Sequence, residues 1–110
     1  MLGAYIVVLI TASSEESENI ARKLLEERLA ACVNIVRGVK SLFWWEGKID
    51  EAQEALLIAK TRLDQMEKLI QAVKQIHSYS VPEIIALPII AGNINYLTWI
   101  SQNVRKPEST

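Results

Sequence analysis

The chain has 110 residues, half of them hydrophobic and 23% charged, with a net charge of −1. That is the length of one domain, with enough apolar material for a core. Its scattered basic residues exclude a nucleic-acid footprint, no apolar run reaches the roughly 20 residues of a membrane helix, and the single Cys32 excludes an intrachain disulfide.

Cys32 sits between Ala31 and Val33, an apolar setting that suits a reducing compartment. Met1 to Ala12 is apolar but lacks the basic start and cleavage site of a signal peptide. Both features place the protein in the cytoplasm.

Tyr5 to Thr11 is a β-branched run ended by Ser13-Ser14, and reads as a first strand. Ser13 and Glu16 form a capping box, and acidic residues at 15, 16 and 18 suit a helix N-terminus. Ile20, Ala21, Leu24, Leu25 and Leu29 then share one helical face, so the first helix runs to about Leu29. Ala31 to Val36 is extended, Gly38 marks a bend or bulge, and the strand resumes from Val39 to Trp45. Glu46-Gly47 makes a hairpin turn, and a third strand covers Gln53 to Thr61.

Thr61 or Asp64 caps a second helix, whose apolar stripe is Met66, Leu69, Ile70, Val73 and Ile76. Pro82 opens a fourth strand from Glu83 to Ile90, and Pro88 within it demands an edge position or a bulge. Gly92-Asn93 starts a short third helix anchored by Leu97, Trp99 and Ile100. Residues 1–104 form the domain, and Arg105 to Thr110 read as a loose tail. The order β-α-β-β-α-β plus a helix is the split β-α-β, or ferredoxin-like, α+β class with an antiparallel sheet.

Both helices of that arrangement cover one face of the sheet, so the strands should alternate apolar with polar. They do not. Tyr5 to Ile10, Ala55 to Ala59 and Ile84 to Leu87 are apolar on both faces. Either the third helix roofs the second face, or partner subunits do, and the size of the apolar surface favours partners. Phe43, Trp44 and Trp45 on the hairpin are candidates for that interface.

Five segments, in order, resemble the CutA family of divalent-cation tolerance proteins. They are Glu26 to Asn34, Trp45-Glu46-Gly47-Lys48, Lys60-Thr61, His77 to Ile84 with its Tyr79 and Pro82-Glu83, and Asn95 to Trp99. The resemblance implies a ferredoxin-like fold and a homotrimer similar to that of the PII signalling proteins. It implies a part in tolerance of copper and other divalent cations, and no catalysed reaction.

His77 is the only histidine. An imidazole there either binds a transition metal or closes the C-terminus of the second helix. Some family members hold copper with a first-strand cysteine and two adjacent histidines. Here those positions are Ile10, Ile76 and His77, so only one ligand remains. No cofactor is required on this reading, and Cu(II) or another divalent cation would bind weakly through His77. Cys32, Glu46, Lys60, Tyr79 and Glu83 are candidates for a polar cleft between subunits. Cys32 also reads as a small core residue, and the three charges also read as strand-end groups reaching solvent. The sequence thus describes a non-enzymatic CutA-like trimer with weak or indirect metal binding. Its alternatives are a PII-like sensor of a small ligand and a structural trimer serving a protein partner.

Overall fold

β1 (Tyr5–Ala12) lies inside a four-stranded antiparallel sheet, in a computed structural model that describes residues 4–106. It pairs on one side with β3 (Lys48–Arg62) and on the other with β4 (Ile84–Pro88). β2 (Cys32–Trp45) pairs with the far edge of β3, giving the order β2-β3-β1-β4. α1 (Ser14–Glu26), α2 (Met66–Ile76) and α3 (Ile94–Asn103) complete the α+β class expected from the sequence.

Alternation along the strands fixes the core. Ile6, Val8, Ile10 and Ala12 of β1 are buried, as are Ala55, Leu57 and Ala59 of β3. All of these but Ala55 meet Ile20, Ala21 and Leu24 of α1 and Leu69, Ala72 and Val73 of α2 in one cluster. Each such Leu or Ile contributes about 2 kcal/mol by leaving water. The intervening residues, Tyr5, Val7 and Leu9 with Leu56 and Ile58, are only partly covered. α3 supplies that cover through Ile100, which is fully buried.

The ends of α1 show how local chemistry is used. Ser13 Oγ accepts from Glu16 N–H, and the Glu16 carboxylate accepts from Ser13 N–H, both at 3.3 Å, completing the capping box. At the other end the helix stops at Glu26, earlier than the periodicity predicts. Arg28 takes a φ of +58°, and the N–H groups of Arg28 and Leu29 return to the carbonyls of Leu25 and Leu24. This is a Schellman closure with no glycine, at a backbone cost of about 1 kcal/mol. It folds Leu29 back into the core, where it is buried.

The β2–β3 hairpin turns at Glu46 (φ +51°) and Gly47 (φ +78°), both left-handed as a type I′ turn requires. The Gly38 irregularity is a register shift between Val36 and Val39, with φ +74° at the glycine. β3 begins at Lys48, five residues before the predicted start at Gln53. Register, not composition, makes Lys48 to Ala52 a strand, since Trp45 faces Lys48 and Ser41 faces Ala52. The result is a two-stranded arm reaching past β1, with every residue from 42 to 51 exposed.

Neither Thr61 nor Asp64 caps α2. A 3₁₀ turn, Leu63–Gln65, leads into it, and Gln65 stands at the N-cap without a side-chain capping bond. Thr61 Oγ1 instead donates to the buried Leu29 carbonyl at 2.6 Å, and Asp64 pairs with Arg62 at 3.1 Å. β4 is shorter than predicted but lies on the sheet edge, where Pro88 costs no ladder bond. Asn93 caps α3 by accepting from Asn95 N–H at 3.0 Å.

Trp99, predicted to anchor α3, is 40% exposed. Leu97, Ile100 and Val104 hold the inward stripe at spacings of three and four. Arg105, predicted in a loose tail, is held. Its guanidinium donates to the Glu27 carbonyl and its N–H to the Arg28 carbonyl, at the C-terminal end of α1 where a cation is favoured. Residues 107–110 of that tail lie outside the described residues.

Leu24 is fully buried between sheet and α2. Leu24→Ala should cost about 3 kcal/mol, read as a lower urea midpoint with an unchanged slope.

Candidate functional site

The loop between α2 and β4 is tied to α1 by one carboxylate. Glu16 accepts from Ser78 N–H at 3.0 Å, from Ser78 Oγ at 2.7 Å and from Ser13 Oγ at 2.8 Å. Burial opposes the charge on Glu16. The bonds from Ser78 and Ser13 outweigh burial and hold the pKa down to about 2.

His77 stands beside this junction with its side chain fully out of solvent. Its backbone closes α2, donating to the Val73 carbonyl at 2.9 Å. Its Nε2 bonds the Thr11 carbonyl of β1 at 2.8 Å, and its Nδ1 accepts from Tyr79 N–H at 3.1 Å. That pattern requires the tautomer with its proton on Nε2. Both ring nitrogens are engaged, so a metal would have to displace one of these bonds.

Tyr79 follows, and carries the loop to the hairpin arm. Its hydroxyl donates to Glu54 Oε2 at 2.8 Å. Burial, then the hydrogen bond to Glu54 and the charges of Glu54 and Glu16, push the phenol up to about 12. Glu54 lies where the arm meets the sheet and is 5% exposed, the one carboxylate in the buried set among the described residues. A cavity of about 710 Å³ opens here between arm and loop, reached by Thr11, Trp45, Glu54, Tyr79 and Glu83.

The five cleft candidates from the sequence therefore separate. Tyr79 and Glu83 line this cavity, and Thr11 Oγ1 bonds Glu83 at 3.4 Å. Cys32 and Lys60 sit about four residues further along the strands, roughly 13 Å away. There Lys60 Nζ bonds Asn34 Oδ1 and approaches Cys32 Sγ at 3.9 Å. Tyr96 of α3 joins that group, its phenol raised by burial and by its contact with Cys32. Cys32 is half-buried, neither core nor free surface. Glu46 lies at the hairpin tip, apart from both. Of the three hairpin aromatics, Phe43 and Trp45 line the cavity, while Trp44 is 73% exposed.

Sequence reasoning missed Glu54 and Glu16 as site residues. Glu54 could have been found by the rule that singled out Lys60, because it opens the apolar run from Ala55 to Ala59.

A family model described as CutA1 divalent ion tolerance protein matches residues 5–103. The chain belongs to the CutA1 family. It is 54% identical over 98 residues to the divalent-cation tolerance protein CutA of Thermus thermophilus, covering 88% of this chain and 95% of that one. Protein CutA 1, chloroplastic, from Oryza sativa is 47% identical over 102 residues, which is 92% of this chain but 58% of the rice protein. The crystal structure of CutA1 from Oryza sativa superposes with a TM-score of 0.91 at 46% identity, covering 94% of this chain and 95% of that one. The Thermus thermophilus structure gives 0.90 at 51% identity, covering 92% and 99%.

The family description raises the question of a metal. Among the described residues, no three His, Cys, Asp or Glu side chains converge as ligands. Both His77 ring nitrogens are engaged in hydrogen bonds, and Cys32 lies beside the Lys60 ammonium.

Glu16 gives a pH test. Its folded pKa lies below the ordinary 4.5, so its charge stabilises the fold above pH 4.5 and that contribution is lost as pH falls toward 2. In urea unfolding followed by circular dichroism, Glu16→Gln should be less stable at neutral pH and converge on the wild type near pH 2. Parallel curves across that range would show that the carboxylate has no such role.

Proposed function

We propose that the chain acts as a non-enzymatic homotrimer in divalent-cation tolerance, meeting metal weakly or indirectly. The supporting observation is the second face of the sheet. α3 covers its middle, yet Ile85 and Leu87 of β4 stay about half exposed and Val36 of β2 is 44% exposed. Tyr96 and Trp99 add a stacked aromatic pair at 5.4 Å on the surface of α3. Apolar surface this extensive is normally buried by partners, and the sheet has two free edges, β2 and β4, through which copies can pair. The relatives named for divalent-cation tolerance supply the biological context.

Sedimentation equilibrium should give a mass near three times 12.4 kDa. A predominantly monomeric mass overturns the reading. Trp44→Ser and Trp45→Ser should loosen the assembly on dilution while leaving the secondary structure intact. Calorimetry with Cu(II) should show no submicromolar binding. His77→Ala should lower stability by about 2 kcal/mol, since two buried hydrogen bonds are lost, whatever it does to copper. Submicromolar binding that survives this substitution would show that other ligands hold the metal.

A second reading, a small-ligand-sensing trimer of the PII type, is favoured by the cavity beside Glu54 and Tyr79. Melting shifts with metals, nucleotides and organic acids separate the two. A shift with an organic ligand and none with metals would favour the sensor, and none with any ligand a structural trimer that serves a protein partner.

A further inference from the structure

The cavity between the arm and the α2–β4 loop carries charge of one sign. Its carboxylates are Asp50, Glu51, Glu54 and Glu83, and among the described residues no lysine, arginine or histidine lines it. Not all of that charge is available. Glu51 pairs with Lys40 at 3.2 Å, and Asp50 accepts from the Glu51 N–H at 2.8 Å. Glu54 differs from them. It is 5% exposed, and its Oε2 is held by the Tyr79 hydroxyl. The phenol of Tyr79 senses the same field, since the charges acting on it are the carboxylates of Glu54 and Glu16.

The rest of the wall is aromatic. Phe43, Trp45 and Tyr79 line the same space. Aromatic faces attract organic cations, and carboxylates bond their N–H groups strongly. A bare divalent ion fits less well, because it needs several oxygens converging and among the described residues no three acids do so. A volume of about 710 Å³ lies in the range of sites for small organic molecules.

We propose that this cavity binds a small organic cation, an aliphatic amine with more than one ammonium group. One ammonium sits on Glu54, a second reaches Glu83 or Asp50, and the carbon chain lies against Trp45 and Phe43. This goes beyond the role in cation tolerance and rests on Phe43 and Trp45 of the arm keeping the cavity open in the assembly. Saturable amine binding by a monomer would sink the trimer and leave the site intact.

The same ammonium chemistry is available from a lysine of another copy of the chain, and the test separates the two. Putrescine and spermidine are titrated into the full chain by calorimetry, with butanediol as the neutral control. The expected result is saturable binding of the amines at one site per chain, none of the diol, and at least tenfold weaker binding in Glu54→Gln. Should Glu54→Gln fail to fold, Glu83→Gln at the exposed rim should still weaken spermidine several-fold. Glu67→Gln, on the exposed side of α2, should leave the affinity unchanged. Absence of saturable binding overturns the proposal, as does equal weakening by Glu67→Gln, which would mean diffuse charge attraction. Sedimentation of the same samples is the last arm. Dissociation of the assembly as the amine binds would assign the pocket to a neighbour's lysine and overturn the free-cation site.

Discussion

Everything in this molecule is hung on β1. All eight of its residues pair with β3, and Ile6 to Ile10 pair with β4 as well, so the middle of the strand has neighbours on both edges. Its even-numbered side chains are sealed under α1 and α2, and its odd-numbered ones face a surface that one short helix covers in part. A strand apolar on both faces calls for cover on its second face as well as its first. α3 is the chain's own partial answer, pinned by Tyr5 Oη to Ser101 Oγ at 2.8 Å and by the burial of Ile100.

The end of β1 also sets the functional region. Thr11 contributes its carbonyl to His77 and its hydroxyl to Glu83, so one residue fixes both flanks of the α2–β4 loop. Glu16, one turn into α1, holds the middle of that loop through Ser78. The loop carrying Tyr79 is thereby rigidly placed opposite the arm, and the cavity between them owes its shape to polar bonds. The His77 imidazole belongs to this scaffold. Its position is that of a brace between strand and loop.

Features with a purely local cause were legible in the sequence. The Ser13–Glu16 box, the left-handed Gly47 and Gly38, and the Asn93 cap each follow from side chains acting within a few residues. The β-α-β-β-α-β order was readable from periodicity alone. What escaped needed distant partners. Arg28 adopts a left-handed backbone because Leu29 and Ala30 are drawn into the core, and no glycine announces it. Thr61 is lost to α2 because Leu29's carbonyl claims it. Lys48 to Ala52 become strand only because β2 continues opposite them. Glu54 becomes a buried charge only once Tyr79, 25 residues later, reaches it.

The edge strand β4 has a consequence for the chain before it meets any partner. Ile84 to Leu87 is four consecutive apolar residues at a sheet margin, composition that templates runaway strand addition when left bare. Two prolines bracket it. Pro82 precedes the strand, and Pro88 ends it without an N–H to offer. Few donors therefore remain along that margin, too few to seed a growing fibril readily. The same bracketing limits how far a legitimate neighbour can zip along β4, so side-chain burial must supply most of any affinity there.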